Sequence, residues 1–83
     1  MDEKAERLKR AGYRYNFNRM VYINRIARKV FSVDAIEDHS AGWLADRIDE
    51  SNEGEWRFYF NEAPSDAIVR DFLVELGELR AAS

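Results

Sequence analysis

The sequence contains no cysteine, one proline, one histidine and four glycines. Without cysteine it can form neither a disulfide nor a thiolate metal site. The four glycines are dispersed, so no Gly-rich loop is present to cradle a phosphate. No serine sits in a nucleophile-elbow sequence. No apolar run approaches the roughly 18 residues of a membrane-spanning helix. The opening "MDEKAERLKR" is charged throughout and is not a secretory signal. The expectation is a cytoplasmic protein with no membrane partner and no cofactor.

The 83 residues are 46% hydrophobic and 13% aromatic, the composition of a globular chain. That length suits one domain, residues 1–83, which buries about 60–65% of its unfolded surface. The net charge of −3 conceals a division. Residues 1–31 hold nine Lys or Arg against three Asp or Glu; residues 32–83 hold four against thirteen. Such asymmetry marks either a basic binding surface or two halves that neutralise each other on folding.

Residues 2–11 read as a helix, with Glu3 and Glu6 each four residues ahead of an arginine and Gly12 as its stop. Its apolar side is only Ala5, Leu8 and Ala11, so residues 1–12 are expected as a weakly docked, mobile extension. Next, "YRYNFNRMVYINRIARKVF" (13–31) interleaves five aromatics with Arg and Lys. Tyr13, Tyr15 and Phe17 alternate with polar residues, "NR" at 18–19 can turn, 20–24 alternates again, and 28–32 follows a second turn. This is a three-stranded meander, or else one long strand over 13–24 paired with 28–32.

Ser32 and Ser40 are cap candidates, and Gly42 would cost a continuous 33–50 helix about 1 kcal/mol, which favours a break before a helix at 41–50. "SNEG" (51–54) is a turn and "EWRFYF" (55–60) the clearest strand. Pro64 ends that strand, Ser65 caps, and Ile68, Val69, Phe72, Leu73, Leu76 and Leu79 form a helical stripe. The expected fold is therefore α+β. It is a two-layer sandwich in which two helices pack on one face of a mostly antiparallel sheet of three to four strands. Tyr15, Phe17, Val21, Ile23, Trp56, Phe58 and Phe60 would face the helices.

Catalytic signals are sparse. His39 stands beside Asp38, but adjacency in sequence places neither a nucleophile nor a substrate. "DESNEGE" (49–55) resembles the start of a calcium loop, yet the position that must be a bidentate Glu is Phe60. The chain is expected not to be an enzyme. What remains is the outward set of the meander and last strand: Arg14, Asn16, Tyr22, Lys29, Arg57 and Tyr59. On an open sheet face these could bind a protein, most simply a second copy in a homodimer. They could also stack bases and track phosphates of single-stranded nucleic acid. The acidic net charge favours the protein-binding or assembly reading.

Overall fold

A computed structural model of the chain describes residues 2–80. In chain order the elements are α1 (Glu3–Arg10), β1 (Arg14–Asn16), β2 (Val21–Asn24), β3 (Lys29–Ser32), α2 (Val33–Asp38), α3 (Ala41–Asp49), β4 (Arg57–Tyr59) and α4 (Asp66–Glu75). The strands form one sheet in the order β1-β2-β3-β4. The first three make the antiparallel meander, and β4 joins β3 in parallel. A parallel neighbour cannot be reached by a tight turn, and α2 and α3 supply the crossover. The protein is thus a small α+β domain with a mixed sheet.

Side-chain oxygens start every helix. Asp2 accepts from the amide of Lys4, Ser32 from Ala35, Ser40 from Trp43 and Ser65 from Ile68, each filling a donor that the first helical turn leaves unpaired. The helical stretch over 33–49 is broken at His39 and Ser40, and Gly42 lies inside α3. Glycine ends α1 and α4. Gly12, at φ +97°, lets the Tyr13 amide reach back to Leu8 O at 2.9 Å, and Gly77, at φ +80°, lets Glu78 reach Leu73 O at 2.8 Å. Both are closures in which a left-handed residue turns the chain away from the helix. Gly77 explains why α4 stops at Glu75, short of the expected residue 79.

β3 decides how the layers are arranged. Val30 and Phe31 are adjacent, point to opposite faces, and are both fully buried. A strand with two apolar faces needs cover on both. Phe31 packs with Leu8, Tyr13, Ile36 and Leu44, which places α1, α2 and α3 on its face. Val30 packs with Val21 and Phe72, which places α4 on the other. The two helices expected together on one face, 41–50 and 66–79, are separated by the sheet: α3 lies with α1 and α2 on the Phe31 face, and α4 covers the opposite face. α1 has the narrow apolar stripe its sequence shows, but it rests on a completely buried Leu8. Its Lys4 Nζ also donates to Ile36 O at 2.8 Å and His39 O at 2.7 Å.

The expected core needs one correction. Tyr15 and Phe17 are not under helices: they are 43% and 81% exposed. The turn between β1 and β2 occupies residues 17–20, wider than the expected 18–19, and Asn16 Oδ1 fastens it by accepting from the Arg19 amide at 2.9 Å. Tyr15 then pairs with Tyr22, not with Val21 or Ile23. A one-residue change of register exchanges the faces of a whole strand.

Candidate interaction surface

That register divides the six expected binding residues. Tyr22, Lys29, Arg57 and Tyr59 share the face that carries Phe31, whereas Arg14 and Asn16 stand beside Ile23 and Val21 on the face of α4. They form no single open platform.

Lys29 is 2% exposed. Its ammonium donates to the carbonyls of Arg47 (2.7 Å), Ile48 (2.9 Å) and Glu50 (2.5 Å), the unpaired acceptors at the end of α3. Burial pulls its pKa down, and the nearby Glu50 and Asp49 pull it back up. Tyr59 stacks on Phe31 with ring centroids 4.6 Å apart and donates its hydroxyl to Glu50 Oε1 at 3.0 Å. Burial first, then that hydrogen bond, pushes its pKa up to about 12. Tyr22 is half-buried beside Tyr15, and burial raises its pKa as well. Only Arg14 and Arg57 of the six are exposed.

Other cations of the basic first third are also engaged internally. Arg25 Nη1 donates to Leu76 O at 2.6 Å, at the end of α4, and Arg28 Nη1 to Gly54 O at 2.6 Å. Arg19 pairs with Glu75 at 3.0 Å and lies over the Phe72 ring at 4.9 Å. With Lys4 on α2 and Lys29 on α3, three basic side chains from the first third each hold the C-terminal carbonyls of a different helix in the acidic remainder. The placement matches the macrodipole, whose negative end draws cations.

The motifs weighed for chemistry do not converge. His39 Nδ1 lies 2.8 Å from Ala35 O, a carbonyl that can only accept, so this nitrogen carries the proton. Its ring stacks on Trp43 at 3.8 Å. Asp38 instead accepts from Asn61 Nδ2 at 2.6 Å. In the 49–55 loop, Asn52 Nδ2 donates to Ala27 O, tying the loop to the β2–β3 turn. Among the described residues no group of three His, Cys, Asp or Glu is placed to hold a metal. Among them, too, no helix is long and apolar enough to cross a membrane.

The surface that sequence reasoning missed lies along the β1 side. Tyr15, Phe17 and Met20, the last 56% exposed, are large apolar groups in or next to the first hairpin turn. Beside them a groove of about 640 Å³ runs between the β1–β2 face and the end of α4; Arg14, Asn16, Ile23, Arg25, Phe72 and Leu76 line it. The missed signal was the pair of asparagines around Phe17: Asn-Phe-Asn is turn chemistry, which takes the ring out of the strand alternation. Comparison with protein-family models, curated proteins and solved structures finds no match to the chain.

Proposed function

We propose that the protein is a small non-enzymatic interaction module of the cytoplasm that self-associates through the β1 side of its sheet. The observation that carries this reading is Phe17, 81% exposed beside Tyr15 and Met20 at an edge of the sheet. A large ring held in water by a tight turn gains little for the monomer, whereas covering it against a partner recovers its burial free energy. The engagement of Lys29, Arg25, Arg28 and Arg19 within the fold weighs against single-stranded nucleic acid, because few of the cations in residues 13–31 are free to meet phosphates.

Sedimentation velocity across the micromolar range tests the proposal. The expected result is a concentration-dependent dimer that Phe17→Lys abolishes without loss of far-UV circular dichroism. A chain that stays monomeric at every concentration removes it. A salt-sensitive complex with a labelled single strand, formed by a monomer, would transfer the function to nucleic acid.

A further inference from the structure

We infer that two copies join edge to edge through β1, antiparallel about a twofold axis at Tyr15, and so merge two four-stranded sheets into one of eight. The inference rests on the self-association proposed above and names the surface and the register.

β1 ends the sheet, with β2 on one side and, among the described residues, no strand on the other. An edge leaves backbone donors and acceptors free to template a further strand. A twofold contact must be self-complementary, and the pattern of β1 selects one register. Centred on Arg14, the pairing opposes two like charges. Centred on Asn16, the last residue of the strand, it extends into the turn. Centred on Tyr15, all three residues pair: Arg14 meets Asn16 of the second copy, and Tyr15 meets its own equivalent. Phe17, the first residue of the turn, then lies just beyond the paired segment, at the seam. Tyr15 pairs with Tyr22, Tyr22 with Phe31 and Phe31 with Tyr59, so the aromatic row of one sheet would continue into the other through the Tyr15 pair. Arg14, exposed on the α4 face, gains the Asn16 amide oxygen as a neighbour.

Three paired residues a side, with Phe17 and Met20, fall short of the roughly 1,200 Å² of total surface that a stable interface buries. The dimer is therefore weak and forms in the micromolar range.

The chain has no cysteine, so an introduced thiol reports a single contact. Directly opposed residues in antiparallel strands have Cα atoms about 4.5–5.5 Å apart, within the span a disulfide bridges. Under mild oxidation, Tyr15→Cys should form a covalent dimer about tenfold or more faster than Arg57→Cys on the far edge. Association would hold its thiols at a high effective concentration. A mixture of Arg14→Cys and Asn16→Cys, which keeps Tyr15, should cross-link faster than either variant alone. If the wild type sediments as a dimer but neither test exceeds Arg57→Cys, edge pairing is wrong and self-association stands. Preferential self-cross-linking of Asn16→Cys overturns the Tyr15 centre. A monomeric wild type overturns both proposals together.

Discussion

Lys29 occurs in a strand of alternating pattern, where its type suggests an outward cation, yet it is buried with three carbonyls around its ammonium. Nothing local in "RKVFS" reveals this, because the acceptors belong to a helix that ends about twenty residues further along the chain. Replacing Lys29 with Met keeps much of the volume and leaves those carbonyls unpaired. The expected cost is about 3 kcal/mol, read as a lower urea midpoint at unchanged slope. Tyr13 is the converse case. Its ring is buried against Phe31, at 5.5 Å, but its hydroxyl is buried with no hydrogen-bond partner among the described residues. Tyr13→Phe removes an uncompensated polar group and keeps the ring, so stability should hold or rise by about 1 kcal/mol. A clear loss in the same urea titration would mean that the hydroxyl has a partner.

Helix ends were the most legible elements, because capping is written in a few adjacent residues. Ser32, Ser40 and Ser65 each cap as their positions suggest, and Gly12 stops α1. Strand faces were less legible. The register of β1 on β2 depends on how many residues the turn consumes, and two of the six binding candidates changed face with it. The position of α4 was hidden for a related reason: its apolar stripe fits either face, and only the double burial of β3 requires a helix on each. The two terminal glycines allow a comparison. A Cβ at Gly77 would meet nothing within 4 Å, so Gly77→Ala should cost only the left-handed backbone, about 1–2 kcal/mol. At Gly12 the new carbon would sit 3.4 Å from Asn24 Nδ2, which donates to Ala11 O. Gly12→Ala should therefore lower the melting temperature more than Gly77→Ala. Equal shifts would mean that the Asn24 contact contributes nothing to holding α1.

Across the whole molecule, the division of charge along the chain becomes a set of internal contacts, with basic side chains of the first third closing helices of the acidic remainder. The sequence shows the imbalance but not which carbonyls receive it. The same packing sets how the protein responds to alkali. Burial raises the pKa of Tyr13, Tyr22 and Tyr59, the last to about 12. Unfolded tyrosines ionise near pH 10, so above about that value the folded state holds more protons than the unfolded one and stability falls as pH rises. Lys29 acts in the opposite sense. Its folded pKa is lowered, so between that value and the unfolded one the unfolded chain holds the extra proton and stability rises with pH. Three raised tyrosines outweigh one lowered lysine, and the net expectation is a decline from about pH 10 upward. Urea midpoints measured at steps from neutral to strongly alkaline pH should be level first and then fall, together with a late rise in tyrosinate absorbance. Tyr59→Phe should make the fall shallower. The hydrogen bond to Glu50 that holds the Tyr59 proton is then gone, and so is the proton whose loss unfolding promotes. A midpoint that climbs through the same range would show that Lys29 governs the alkaline limb and that the buried hydroxyls are not resisting ionisation.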